Sequence, residues 1–257
     1  MDNFSFNTLI IGQKFIDLPN CHSTNDIAQQ IIREGQPEEG LVIYTEHQTA
    51  GRGQRGNHWE AAPGQNLTFS VILSPQFLAA DQQFYLSMAV ALAVRKALLP
   101  YCAPQTLKIK WPNDLFVEQK KIGGILIENT LRHDRLQYAV VGIGINVNQE
   151  NFAHPRATSL RKIRGENTPL KKLLWEILWN LEQEYLRLQN SPLEITKNEY
   201  LASLFRWKSW HLYQIQGQYQ EACIIDVGPG GHLWVQIGTE MRALDFKEIV
   251  FLFEEKP

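Results

Sequence analysis

Apolar residues recur along this chain in short runs that predict strands and in longer, helically spaced stretches that predict helices. Thr8 to Leu18 reads as a strand of mixed character, ended by Pro19. Ser23 or Thr24 suits the cap of a helix whose Ile27, Ile31 and Ile32 recur at helical spacing, with Gly35 at its end. Leu41 to Thr45 and Leu67 to Leu73 predict two further strands. Phe84 to Leu99 is apolar on nearly every face and stops at Pro100, the pattern of a buried helix. Leu107 to Trp111, Lys121 to Glu128 and Tyr138 to Val147 predict three more strands joined by turns. Strands with two inserted helices, without strict β-α-β alternation, favour an α+β fold with a mixed sheet over a doubly wound parallel one.

Leu173, Leu174, Ile177, Leu178, Leu181, Tyr185 and Leu188 then trace an amphipathic helix. Ser191-Pro192-Leu193-Glu194 reads as a capping box opening the next one. From about Leu212 the pattern turns to short alternating runs: Leu212 to Ile215, Ala222 to Asp226, His232 to Ile237 and Phe246 to Phe253. They surround the turn Gly228-Pro229-Gly230-Gly231 and predict a small barrel-like β module. The division expected is residues 1–208 and 209–257.

A length of 257 residues allows one sizeable core with a small appended unit. An apolar fraction of 44% is that of a globular chain. A net charge of −2 argues against broad electrostatic binding of nucleic acid. Cys21, Cys102 and Cys223 are odd in number and widely spaced, which gives neither a disulfide framework nor a zinc site. The segment Met1 to Asn7 lacks the pattern of a secretion signal, and no span approaches the length of a membrane helix. A cytoplasmic location is the expectation.

Two segments carry the chemistry. Gly51-Arg52-Gly53-Gln54-Arg55-Gly56-Asn57-His58-Trp59 combines a permissive backbone, cationic heads and an aromatic plate. Arg52, between two glycines, is the candidate for gripping phosphate, whereas Arg55 reads as a solvated surface charge; Trp59 suits either a core position or a stacking lid. Lys110-Trp111-Pro112-Asn113-Asp114 predicts a rigid turn with inward acceptors, or a plain Asx-type turn. It is followed by Lys120-Lys121-Ile122-Gly123-Gly124, where glycine backbone lies beside Lys121. Gly142-Ile143-Gly144-Ile145-Asn146 repeats the device. Its bare face admits a ligand or a close helix–sheet contact. These features together point to an anionic, nucleotide-like intermediate.

In this order, and with Ser23-Thr24-Asn25 and Gln48, these motifs resemble those of biotin protein ligases over essentially the whole chain. The resemblance implies a catalytic domain similar to class II aminoacyl-tRNA synthetases, with a small C-terminal SH3-like β-barrel. It implies that biotin and ATP, with Mg²⁺ accompanying ATP and no fixed protein metal site, form biotinyl-AMP and pyrophosphate. A lysine of a biotin carboxyl carrier protein then accepts the biotin. Carried over by position, Lys121, Arg52 and Asp114 would act at the reacting centre. Ser23, Thr24, Asn25, Gln48, Gly51, Arg52, Gly53, Gln54, Lys121, Gly124 and Gly144 would contact biotin. Arg52, Asn57, Trp59, Asn113, Lys121 and Asn146 would address the nucleotide.

Many relatives carry arginine where Gln54 and Asn57 stand, so two cationic contacts to the intermediate are expected to be missing. Ser23-Thr24-Asn25 arrives too early for the N-terminal winged helix of some relatives, so DNA binding is not expected; homodimerisation stays open. The rival readings are a lipoate–protein ligase and a non-catalytic biotinyl-adenylate-binding regulator.

Overall fold

The computed structural model describes residues 8–35 and 37–253, the Arg55 side chain excepted. The Met1 to Asn7 segment and the surface role read for the Arg55 side chain lie outside the described residues. Strands β1 (Phe15–Leu18) and β2 (Val42–Thr45) flank helix α1 (Thr24–Glu34) and pair in parallel. Then come β3 (Leu67–Leu73), α2 (Phe84–Leu98), β4 (Leu107–Lys110), β5 (Asp114–Val117), β6 (Lys120–Arg132) and β7 (Arg135–Ile145). These strands form one mixed sheet in the order β1-β2-β3-β7-β6-β5-β4, antiparallel after the first pair. Helices α3 (Leu160–Arg164), α4 (Leu170–Asn190) and α5 (Leu193–Ser203) lead to a second, five-stranded antiparallel sheet. It contains β8 (Trp210–Ile215), β9 (Gln218–Val227), β10 (Leu233–Ile237), β11 (Glu240–Leu244) and β12 (Ile249–Phe251).

The large sheet is covered differently on its two faces. One side packs α2, α4 and α5 into a continuous apolar core that extends into the second sheet. The other side carries, among the helices of the described residues, α1 alone, whose Ala28 and half-buried isoleucines seat on Leu41, Ile43, Ile72 and Val140. Because α1 covers only part of that face, its N-terminal end borders open sheet, and the polar residues collect there.

Several expectations are corrected. Thr8–Lys14 is not strand: the Glu182 carboxylate of α4, 1% exposed, accepts the N–H groups of Leu9, Ile10 and Ile11 at 2.7, 2.7 and 2.9 Å. Those amides have no ladder partner, so an acceptor on a helix replaces one. The capping box at Ser191 does not form; Pro192 stands at the cap without a side-chain bond, and Glu194 accepts the Tyr85 hydroxyl at 3.0 Å. Finally, Ala80–Tyr101, 22 residues, is long and apolar enough by length and composition to cross a membrane, contrary to the sequence expectation. Here it is core: α2 with its flanking turns, 67% of an 18-residue window of that stretch being inside the protein.

Glu182→Gln is expected to leave a buried amide facing N–H donors and to lower stability by about 3 kcal/mol. In a chain of this size that is a fall in Tm of roughly 6–12 °C, measured by thermal unfolding. A change under about 2 °C would show that the loop does not depend on the carboxylate.

Candidate active site

Strand register builds the site. Thr45, Thr68, Gly144, Gly124, Asp114 and Lys110 face one another in turn across β2, β3, β7, β6, β5 and β4. Alternation places this row on the α1 side of the sheet, next to the row Ile43, Ser70, Gly142 and Leu126. The glycines serve different purposes. Gly123 faces the core, where a Cβ would come within 2.6 Å of Ile145 Cδ1. Gly142 lies under α1, and a Cβ there would overlap the Asn25 side chain. Gly144 lies under Trp59, and a Cβ would stand 2.7 Å from indole Cζ2. The helix–sheet reading of the bare strand therefore holds at Gly142, while Gly144 is covered by the indole of a loop residue.

Around this floor the structure gathers Ser23, Thr24, Asn25, Gln48, Arg52, Gly53, Gln54, Trp59, Asn113, Lys121, Gly124 and Gly144 into one pocket. At the α1 end, Gln48 Oε1 accepts from Thr24 N–H at 2.8 Å and Oγ1 at 3.1 Å. Ser70 Oγ lies 2.7 Å from Thr24 Oγ1 and donates to Asn25 Oδ1 at 2.6 Å. Asn25 Nδ2 donates to Glu128 at 2.7 Å. Ser23 occupies the cap position of α1 and is 2% exposed, yet its side chain makes no capping bond. That end is dense with neutral donors and acceptors, suited to a polar, uncharged head group.

The opposite end is ionic. Lys121 Nζ pairs with Asp114 Oδ1 at 2.5 Å and sits 5.7 Å from the Trp59 ring centroid. Asp114 is behind the pocket rim rather than on it, acting on the site through Lys121. Asn113 staples its turn to β6, donating to the Ile125 carbonyl at 2.5 Å. Trp111 docks the same turn on the second sheet, its indole N–H donating to Gly231 O at 3.0 Å. The turn is thus both rigid and inward-facing.

Besides Asp114, three candidates do not line this pocket. Gly51 and Asn57 face the outer side of their loop, with His58 and Glu128. Asn146 is 4% exposed and donates to Thr158 O at 3.0 Å, while its Oδ1 is buried without a partner. The arginine loop is folded as a small hairpin: Gly53 N–H reaches Asn57 O at 2.7 Å and Trp59 N–H reaches Gly51 O at 2.9 Å. Arg52 is not free to grip phosphate, because it pairs with Asp26 and Glu128, each at 2.8 Å. With Trp59 down on the glycines the remaining cavity is about 50 Å³, room for a few water molecules but not for a bicyclic ring.

The sequence reading missed Ser70, Asp26, Glu128 and Gly142 as parts of the site. Glu128 is 76 residues from Arg52, so no local spacing reveals it. Gly142 was legible in the alternating glycines.

This arrangement meets its counterpart in known proteins. The profile of the biotin/lipoate A/B protein ligase family matches residues 18–146, which hold every pocket residue named above. The chain belongs to that family. Among its relatives, a bifunctional ligase/repressor BirA of Bacillus spizizenii is 33% identical over 187 residues. That match takes in 71% of this chain and 57% of the relative. A biotin–[acetyl-CoA-carboxylase] ligase of Mycobacterium tuberculosis is 27% identical over 233 residues, 90% of this chain and 86% of that protein. In fold, the chain is similar to a biotin protein ligase from Aquifex aeolicus solved with biotin and ATP. The TM-score is 0.74 at 24% identity, over 93% of this chain and 98% of that one.

Proposed function

We propose that this ligase activates biotin with ATP to biotinyl-AMP and transfers the biotin to a lysine of a carboxylase carrier protein. The observation that carries the reading is the floor of Gly124 and Gly144, with a neutral amide-rich end at Thr24, Asn25 and Gln48 and the Lys121–Asp114 pair at the other end. A flat ring with a urea-like head and an acid tail matches that polarity. The Mycobacterium tuberculosis relative, named as a biotin ligase, supports biotin over lipoate.

In the first step the biotin carboxylate attacks the α-phosphate and pyrophosphate leaves. Two anions must meet, and the Lys121 ammonium stands where their repulsion is greatest. Trp59 has to rise from Gly144 to admit the ring and can then cover the adenylate, excluding the water that would hydrolyse the mixed anhydride. Arg52 would reach a phosphate only by leaving Asp26 and Glu128. Asn146 Oδ1, buried and unpaired, is the acceptor offered to a nucleotide. In the second step the carrier amine attacks the acyl carbonyl and AMP leaves. Among the described residues no group of three or more His, Cys, Asp or Glu side chains forms a metal seat. Asp114, beside Lys121, is already shared between cations, so Mg²⁺ belongs to the incoming nucleotide. We assign the activation chemistry to residues 1–208 and the supporting β module to residues 209–257.

The test is pyrophosphate release with ATP and each acid supplied separately. Release with biotin and not lipoate is expected; release with lipoate alone would replace the reading, and ligand binding without release would make the protein a non-catalytic binder.

Gln54 lines the pocket with a neutral amide at a position where the family resemblance leads us to expect arginine. A charge-assisted contact exceeds a neutral one by roughly 0.5–2 kcal/mol, or about two- to thirty-fold in residence. Gln54→Arg is therefore expected to slow dissociation of preformed biotinyl-AMP. Equal or faster release from the variant would show that Gln54 does not limit retention.

A further inference from the structure

Behind the pocket lies a lysine with no role in the scheme above. Lys110 ends β4, opposite Asp114, in the same cross-sheet row as Gly124 and Gly144. Its Nζ is 4.0 Å from Asp114 Oδ2, on the far side of the carboxylate from Lys121. Its side chain is only 17% exposed. The ammonium sits 4.5 Å from the ring centroid of Phe251 and 5.7 Å from that of Phe116. Phe251 belongs to β12, so the C-terminal sheet forms its back wall. The charged groups facing it are Asp114, Lys121 and Arg206, one anion against two further cations. Burial lowers its pKa, against the raising effect of Asp114. Packing alone gives no reason for a charge there, since an apolar side chain of the same length would fill the space without desolvation.

We propose that Lys110 is a positioning residue: held against Phe251, it shares the Asp114 carboxylate and thereby leaves Lys121 free to turn onto the incoming anions. The proposal rests on the reading of the pocket as one that activates an acid with ATP. Asp114 with Lys121 alone is a neutral pair. With Lys110 the trio carries one net positive charge, directed at the floor where carboxylate and phosphates meet. When Lys121 swings to a phosphate oxygen, Lys110 remains beside Asp114, so the move does not strand a poorly solvated carboxylate. The C-terminal sheet thus contributes to the chemistry through Phe251 and Lys110 without touching substrate.

In Lys110→Met, kcat/KM for ATP in biotin-dependent pyrophosphate release is expected to fall roughly tenfold or more. The dissociation constant for biotin alone should stay within about twofold, because the amide-rich end is untouched. Lys110→Arg should recover most of the loss. Adding Lys110→Met to Asp114→Asn should cost nothing further, since the lysine acts through that carboxylate. Independently of turnover, crystals of Lys110→Met should show the Asp114 carboxylate turned toward Lys121. Wild-type kcat/KM in Lys110→Met, additive losses in the double variant, or an unmoved carboxylate in the crystals would each overturn the proposal. If the unmodified ligase releases no pyrophosphate with any acid, the functional reading fails, and the crystals alone decide the role of Lys110.

Discussion

Lys121→Ala is expected to slow formation of biotinyl-AMP by roughly 10²–10³-fold while leaving the fold intact. The side chain is 35% exposed and its ion pair is with Asp114, so its removal leaves no void in the core. Its value is electrostatic and rises as the two anions converge. Loss of one such contact, made chiefly in the transition state, costs about 3–4 kcal/mol, or roughly 10²–10³ in rate. Single-turnover formation of adenylate, with circular dichroism to confirm folding, reads both. A rate within about threefold of the parent would take Lys121 out of the mechanism.

Gly142→Ala is the second large effect, and it acts at the other end of the pocket. The new methyl would overlap Asn25 Oδ1, an atom that also accepts from Ser70. Asn25 cannot simply swing away, because its amide nitrogen is held by Glu128. The start of α1 must shift, carrying Thr24 and its bonds to Gln48 with it. Overpacking of this kind costs about 1–3 kcal/mol in stability. Displacement of the amide-rich wall is expected to weaken binding of biotin by roughly tenfold or more, since buried polar partners would be left mismatched. Calorimetric titration with biotin checks this. Unchanged affinity would mean that α1 does not form the head-group wall.

The part of the site that could be read along the chain was its local part. Leu67 to Leu73 is strand residue for residue: its β-branched and aromatic residues suit a strand, and all seven positions are buried. The glycine strands and the turn at Trp111 were visible for the same reason: each is a backbone constraint carried by neighbouring residues. Two short strands were not. Asp114 to Val117 follows the proline turn directly, and Glu240 to Leu244 is exposed along most of its length, so neither shows a clear period.

The state of the charges was also hidden. Nothing in the glycine-arginine loop says that Arg52 will be held by Asp26 on α1 and Glu128 on β6. Likewise, nothing in the turn says that the ammonium of Lys110 will lie against Phe251. Both depend on which strands become neighbours, which only the assembled sheet determines. Trp59, readable either as core or as lid, proves to lie on the glycine floor of the pocket itself. A loop residue can do that only where two strands have been stripped of side chains.

Whether the chain is a biotin ligase is decided by incubating it with ATP, biotin and an isolated carrier domain, and weighing the carrier. The site described here requires a gain of one biotinyl group on a single lysine, dependent on ATP and strongly slowed in Lys121→Ala. A carrier that stays at its starting mass, or one that gains biotin equally well without ATP, would contradict it.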